Sequence, residues 1–132
     1  IASGADFVYM GTRFIPTTES MAAEGYKQMV VDSSIDDLIV SAGVTGTPAS
    51  WLKPSLRANG LDPDNMPDAP GRRYDSNQSF AGKKWMDVWA AGQGLGTIKT
   101  VEPTATVVDR LVSEYAQAVA RMKALPWAAA PQ

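Results

Sequence analysis

The sequence predicts an α/β fold in which one buried β-strand is followed by a mostly helical body. Phe7-Val8-Tyr9-Met10 is a short apolar, β-prone run before Gly11, and such a run suits a strand of a parallel sheet that is buried on both faces. Near the other end, apolar residues recur with the 3.6-residue period of a helix over 107–122. A length of 132 residues, with 45% apolar and 20% charged residues, fits one soluble domain.

Composition excludes several classes of function. Twelve Lys and Arg against fourteen Asp and Glu give a net charge of −2, so the chain lacks the basic surface that nucleic-acid binding requires. Its apolar runs are far shorter than the roughly 18 residues of a membrane span. The absence of Cys and His excludes disulfides, thiolate zinc sites, a Cys nucleophile and a His base within the chain. The first residues show no signal-peptide pattern, so we expect a cytoplasmic protein.

The first residues have the order of a βα repeat that is open on its N-terminal side. Ile1 to Ser3 fit the last turn of a helix and Gly4 fits the residue after its end, although a processed or poorly ordered N-terminus explains them equally well. A turn, the buried strand and Gly11-Thr12 follow. We therefore expect Phe7 to Met10 to form a strand with few or no partners in this chain, because its neighbouring parallel strands would precede it.

Local signals then place short elements. We predict a helix over 19–31, which Gly25 weakens slightly. Ser34 and Asp37 have the spacing of a capping box, and a short strand from Leu38 to Ser41 follows them.

Proline and glycine set the next boundaries. Residues 43–49 read as a loop, and a short helix has Pro54 in its first turn and Gly60 at its end. Residues 61–82 read as a long loop, which we interpret as a surface strip rather than a lid because few apolar residues could anchor it.

Two helices complete the prediction. A helix over 83–91 would carry Trp85, Val88 and Trp89 on one face. The last helix begins at Pro103, and residues 126–132 form a frayed tail. Because these are the two strongest apolar faces available, we expect the Trp face to pack against Val108, Leu111, Val112 and Tyr115.

One glycine cluster carries a signal for anion binding. Gly11 and Thr12 follow the predicted strand, at the end where parallel βα architectures place their functional loops. A glycine there lets an anion approach the backbone, and amide and hydroxyl groups can donate to phosphate oxygens. Arg13 could add charge, but a plain tight turn with Arg13 in an ion pair is an equally simple interpretation.

A second glycine cluster spans 91–96 and contains Gln93 and Gly94. It does not fit a dinucleotide-binding loop, because that motif follows a strand and opens a helix, whereas this one follows a predicted helix. A helix end and turn, with Gln93 free to bind a ligand, fits better. The acidic residues Asp32, Asp36 and Asp37 are explained by capping, and no Ser-x-x-Lys arrangement for a nucleophile is present.

Taken in order, the motifs resemble the C-terminal part of nitronate monooxygenases, formerly called 2-nitropropane dioxygenases. The resemblance extends to about Met122 and rests on the ordered series rather than on any one motif. The matching segments are residues 4–14 (GADFVYMGTRF), 18–20 (TES), 26–27 (YK), 44–46 (VTG), 52–56 (LKPSL) and 89–96 (WAAGQGLG).

The resemblance implies the C-terminal fragment of an FMN-binding TIM barrel. Residues 1–18 would hold the last barrel strand and the phosphate-binding turn, and 19–125 a mostly helical smaller domain over the barrel mouth. A complete barrel needs about 250 residues, so we expect the remainder to lie upstream. The family's catalytic His would also lie there, so the chain is expected to contain no catalytic residue and to be inactive alone.

The resemblance also implies a cofactor site and a reaction. Gly11 and Thr12 would complete the FMN phosphate site, Met10 would approach the cofactor from the strand, and Gln93 and Gly94 would lie near the isoalloxazine or the substrate. The full enzyme would use oxygen to oxidise a nitronate or nitroalkane to a carbonyl compound and nitrite.

Alternatives remain open from the sequence. A flavin-dependent enoyl-acyl-carrier-protein reductase of the same fold carries similar motifs, and a non-catalytic helical module could bind a partner through Trp85 and Trp89. The sequence does not determine the physiological substrate or whether the protein is an oligomer.

Overall fold

The computed structural model describes residues 5–67 and 87–125. Helices, a small antiparallel sheet and short 3-10 segments alternate in them, so the chain is a mixture of helix and strand. The helices are α1 (Glu24–Asp32), α2 (Lys53–Ala58) and α3 (Thr104–Lys123), the strands are β1 (Leu38–Ser41) and β2 (Ala49–Leu52), and the 3-10 helices are Thr12–Phe14, Ile35–Asp37 and Gln93–Thr97. Among the described residues, no helix is both long and apolar enough to cross a membrane.

Strands β1 and β2 form a hairpin whose second strand has a further neighbour. They pair antiparallel, with Leu38 opposite Leu52. On the outer side of β2, the Leu52 N–H donates to the Trp89 carbonyl at 2.9 Å, and the Ala91 N–H donates to the Ser50 carbonyl at 3.2 Å. These bonds fix the segment around residue 90 to the edge of the hairpin. It forms an isolated antiparallel bridge between Ala90 and Trp51 rather than a further strand.

The core lies on both faces of β2. Successive side chains of a strand point to opposite faces, so Leu52 packs in one cluster and Trp51 in another. The Leu52 cluster also contains Val30, Ala91, Leu95 and Ile98, and the Trp51 cluster contains Val44, Leu56 and Val88. Each fully buried side chain of this size contributes about 1.5–3 kcal/mol to folding.

Several local predictions are confirmed. Ser34 and Asp37 form the capping box, with the Ser34 N–H donating to Asp37 Oδ2 at 2.8 Å. Strand β1 has its predicted bounds, Pro54 lies in the first turn of α2, and Gly60 follows that helix with φ of 73°. The last helix begins at Thr104, one residue after its predicted start at Pro103.

Helix α1 begins five residues later than predicted, at Glu24 instead of residue 19. The Ser20 hydroxyl accepts a hydrogen bond from the Ala22 N–H, which closes a turn in place of the first helical turn. Gly25, which the sequence marked as a weakness of this helix, has a packing role. A Cβ atom there would lie 3.2 Å from the ring of Trp89, so the glycine allows the indole to approach.

The prediction of a strand over Phe7 to Met10 is wrong. The structure assigns these residues no strand, and they pair with none of the other described residues. Phe7 and Tyr9 are 91% and 99% exposed. A short apolar run gains a strand's stability only from neighbours, and the described part of the chain supplies none.

The predicted Trp face is also wrong. The chain is helical at Asp87 and leaves the helix at Val88, instead of continuing to residue 91. Val88 packs in the Trp51 cluster, and Trp89 stacks on Tyr26 with ring centroids 5.1 Å apart. Val108, Val112 and Tyr115 of α3 remain exposed, and Trp85 lies outside the described residues. The hypothesis of a partner-binding Trp face therefore loses Trp89, one of its two supporting residues.

The remaining predictions fall partly or wholly outside the described residues. Of the predicted loop over 61–82, residues 61–67 are described and contain neither helix nor strand. Residues 1–4 and the predicted tail at 126–132 are outside the described ranges.

Candidate functional site

The Gly11-Thr12 turn is the start of a 3-10 helix with free backbone donors. The Phe14 N–H donates to the Gly11 carbonyl at 2.9 Å, and the Ile15 N–H donates to the Thr12 carbonyl at 3.2 Å. The N–H groups of Thr12 and Arg13 precede the first of these bonds and have no acceptor among the described residues. Two adjacent amides are thus available to a ligand.

The structure brings the two glycine clusters together, although they are far apart in sequence. The Gly92 N–H donates to the Thr12 hydroxyl oxygen at 2.8 Å, across 80 residues. Gly92 directly precedes the 3-10 helix Gln93–Thr97, whose Leu95 is fully buried in the Leu52 cluster. The buried Leu95 anchors the second cluster, and the Gly92 bond holds it against the first.

A cavity of about 460 Å³ lies where the clusters meet, within the size range of small-molecule sites. Four of the five predicted site residues line it, namely Met10, Gly11, Thr12 and Gly94. Gln93 is exposed and does not line it. The grouping is observed, whereas a cofactor-binding role for these residues stays a prediction.

Two glycines of this cavity, Gly11 and Gly94, are not required for packing. A Cβ atom at Gly11 or Gly94 would have no heavy atom within 4 Å, in contrast to Gly43, where it would lie 2.5 Å from the Pro67 carbonyl oxygen. Gly11 has φ of −105°, which any residue can adopt. What these two glycines provide is open access to the backbone from the cavity.

A buried carboxylate joins the turn to α3. Glu102 is 8% exposed, and its Oε1 accepts a hydrogen bond from Arg13 Nη2 at 2.7 Å. Arg110, on α3, donates to Oε1 at 2.9 Å and to Oε2 at 2.6 Å. The ion-pair interpretation of Arg13 is therefore confirmed, and Arg13 also lines the cavity.

Electrostatics keep Glu102 ionised. Desolvation raises the pKa of its carboxyl, but the hydrogen bonds and charges of Arg110 and Arg13 outweigh that effect and hold the pKa below its usual value. The backbone of Glu102 is fixed as well, because its N–H donates to the Pro16 carbonyl and its carbonyl accepts from the Thr18 N–H. The carboxylate is thus held in place between its two arginines.

A second carboxylate caps α3. Glu19 Oε2 accepts hydrogen bonds from the backbone N–H and the hydroxyl of Thr104, both at 2.9 Å, at the positive end of the helix. These bonds, led by the one from the backbone N–H, lower the pKa of Glu19 from 4.5 to about 2.

This lowered pKa predicts a pH-dependent stability. Because the folded-state pKa is depressed, the contribution of Glu19 should be complete above about pH 4.5 and should disappear as the pH falls towards 2. Glu19→Gln should therefore lower the melting temperature clearly at pH 6 and only slightly at pH 2. Thermal unfolding across this range checks it, with the exposed Asp109→Asn on the same helix as the control. A gap between wild type and Glu19→Gln that does not narrow below pH 4.5 would contradict the capping role.

Sequence reasoning missed three charged residues near the cavity. Arg110 and Glu114 line it, and Glu102 lies behind Arg13. The available signal was spacing, since Arg110 and Glu114 are one helical turn apart and flank Leu111, which also lines the cavity. Within residues 5–67 and 87–125, no group of three or more His, Cys, Asp or Glu could hold a metal ion.

Comparisons with known proteins identify similar chains. No family model matches. The chain is similar to nitronate monooxygenases. A probable nitronate monooxygenase of Staphylococcus saprophyticus is 32% identical over 95 residues, covering 66% of this chain and 26% of that protein. The nitronate monooxygenase of Paraburkholderia phytofirmans is 24% identical over 130 residues, covering 93% of this chain and 35% of that protein. The chain thus spans about a quarter to a third of these curated relatives.

Solved structures share the fold. FabK from Thermotoga maritima matches with a TM-score of 0.61 and 22% identity, over 92% of this chain and 40% of that one. A point variant of the same protein matches with a TM-score of 0.61 and 24% identity, over 92% of this chain and 38% of that one. The order and packing of the elements described above therefore recur in part of a larger protein.

Proposed function

We propose that this chain is the C-terminal part of an FMN-dependent nitronate monooxygenase. The observation that carries the proposal is the cavity in which the Gly11-Thr12 turn meets Gly94, since these clusters come from the motifs that resemble the family. The similarity to two nitronate monooxygenases supports the same family. The reaction would convert a nitronate or nitroalkane to a carbonyl compound and nitrite with oxygen.

The residues at the turn fit a phosphate group. Two free amide N–H groups, at Thr12 and Arg13, can donate to phosphate oxygens. The Thr12 hydroxyl accepts from the Gly92 N–H, so its own proton remains available for a third bond. Nothing crowds the backbone at Gly11. We place the FMN phosphate on these groups, with Met10 and Gly94 on the walls of the same cavity.

This chain would bind and orient rather than transfer protons. FMN, when bound, supplies the electron transfer. The family resemblance implies a catalytic His, which this chain does not contain, so we place the base that removes the substrate proton in residues outside this chain. The chain's contribution is the phosphate turn and the cavity wall that Arg110 and Leu111 of α3 provide.

The exposed apolar surface supports a place at the edge of a TIM barrel. Phe7 and Tyr9 are almost fully exposed, and Val108, Val112 and Tyr115 form an exposed stripe on α3. In a (β/α)₈ barrel, neighbouring strands would cover the first group, and a smaller domain over the barrel mouth could cover its own apolar stripe against the barrel. We therefore propose residues 1–18 as the barrel end and 19–125 as the smaller domain.

The second candidate is a flavin-dependent enoyl-acyl-carrier-protein reductase. The structural similarity to FabK, a TIM-barrel flavoenzyme, favours it. Kinetics separate the candidates in the intact protein that carries this chain. We expect oxygen uptake and nitrite release with a nitronate, and no NAD(P)H oxidation with an enoyl thioester. The reverse pattern would select the reductase, and a flavin-free protein inactive in both assays would overturn both proposals.

A further inference from the structure

Two guanidinium groups at the cavity have donors to spare. Each carries five N–H donors, of which Arg13 uses one and Arg110 uses two, all on Glu102. No other described residue accepts from either side chain. The Arg13 side chain is only 13% exposed, yet no buried side-chain nitrogen or oxygen of the described residues lacks a hydrogen-bond partner, so the unused Arg13 donors are accessible. Because both arginines line the cavity, a ligand there could accept hydrogen bonds from these accessible donors.

Glu102 fixes the geometry of this pair. Its contact with Arg110 uses both carboxylate oxygens and both terminal nitrogens, the fork arrangement that orients a guanidinium plane. Arg110 nevertheless keeps 45% of its side chain exposed. It is therefore held in one orientation while its remaining donors stay accessible.

The charges around the cavity are mixed. Arg13 and Arg110 carry two positive charges, and Glu102 between them carries one negative charge. Glu114 follows Arg110 by one helical turn, also lines the cavity, and forms no ion pair with the residues that the structure describes. The arginines would attract an anion, and Glu114 would repel it.

We propose that Arg13 and Arg110 form a second oxyanion subsite in this cavity, distinct from the Gly11-Thr12 turn. This inference rests on the proposed function in one respect, because that proposal assigns the first oxyanion, the FMN phosphate, to the turn. The subsite takes an oxygen-bearing anionic group whose geometry matches a guanidinium fork. Two sources share this chemistry, namely the carboxylate of a separate small molecule bound beside FMN and the second phosphate of a diphosphate ligand that occupies the cavity in place of FMN, which itself carries one phosphate.

Calorimetric titrations of the intact protein at low ionic strength test the subsite and its source. For a diphosphate ligand, pyrophosphate should bind the flavin-free protein about tenfold more tightly than inorganic phosphate does. For a separate carboxylate, acetate should bind the FMN-loaded protein. Either result supports the subsite, and the absence of both would overturn it.

Two variants on α3 should shift that binding in opposite directions. Arg110→Gln should weaken it about tenfold, and Glu114→Gln should strengthen it about twofold to threefold. A merely structural role would not give opposite signs, so shifts of the same sign, or none, would overturn the subsite. Arg110→Lys keeps the charge beside Glu102 and should weaken binding only about threefold, which controls for misfolding. Flavin content of the wild-type protein reports on the proposed function separately, since a flavin-free intact protein would overturn that function whatever the anion titrations give.

Discussion

Gly11→Val should strip the flavin from the intact protein without unfolding it. The backbone at Gly11 has an ordinary φ of −105°, and a Cβ atom there would have no heavy atom of the protein within 4 Å. Its side chain would instead occupy the space through which a phosphate reaches the amides of Thr12 and Arg13. Each hydrogen bond to a charged group contributes about 1.5–3 kcal/mol, so losing two should weaken FMN binding at least a hundredfold. Absorbance at the flavin band of the purified protein, with an FMN fluorescence titration, measures this.

Two further variants make the test more specific: a control at a glycine outside the cavity and a substitution of the residue next to Gly11. Gly96 is equally open to a Cβ atom but does not line the cavity, so Gly96→Val should keep its flavin. Thr12→Ala removes one hydroxyl donor and the bond from the Gly92 N–H, and should weaken FMN about tenfold to a hundredfold. Undiminished flavin in folded Gly11→Val would show that the phosphate lies elsewhere.

Leu56→Ala should cause a large loss of stability. Leu56 is fully buried in the Trp51 cluster, against Val44, Trp51 and Val88. Removing it should lower the free energy of unfolding by about 2–5 kcal/mol through lost burial and the cavity that remains. Alanine is the best helix former, so the effect cannot come from the helical propensity of α2. Urea unfolding followed by circular dichroism gives the free energy.

The same chemical change at an exposed site provides the control. Leu125 follows α3 and is 38% exposed, so Leu125→Ala should cost about 0.5 kcal/mol or less. If the two variants lost equal stability, packing around Leu56 could not be the cause.

Features that depend on nearby residues were predicted well. The capping box of Ser34 and Asp37 closes within four residues. Pro54 and Gly60 bound α2 because of their own backbone preferences, and α3 follows from an apolar period that continues through the helix. In each case the deciding interactions lie within a few positions in the chain, so the sequence contains them directly.

Features that depend on distant residues were predicted poorly. Residues 19–23 precede α1 rather than belonging to it, and Glu19 caps α3 across 85 residues instead. The position of Trp89 in the sequence fits the apolar face of a helix. In the structure its backbone bonds to β2 and its ring stacks on Tyr26. Hydropathy patterns indicate that a side chain will be buried, but they do not indicate which partner will bury it.

The candidate site likewise combines local features that the sequence predicted with contacts between distant residues that it did not predict. The sequence by itself identified the two glycine clusters, because glycines beside hydrogen-bonding groups form a local pattern. Only the tertiary structure decided that Gly92 bonds to Thr12, that Gln93 does not line the cavity, and that Arg110 shares Glu102 with Arg13. Those contacts depend on how β2 and α3 bring separate segments together, and contacts between distant segments are specified by the packing of the whole core rather than by any short stretch of sequence.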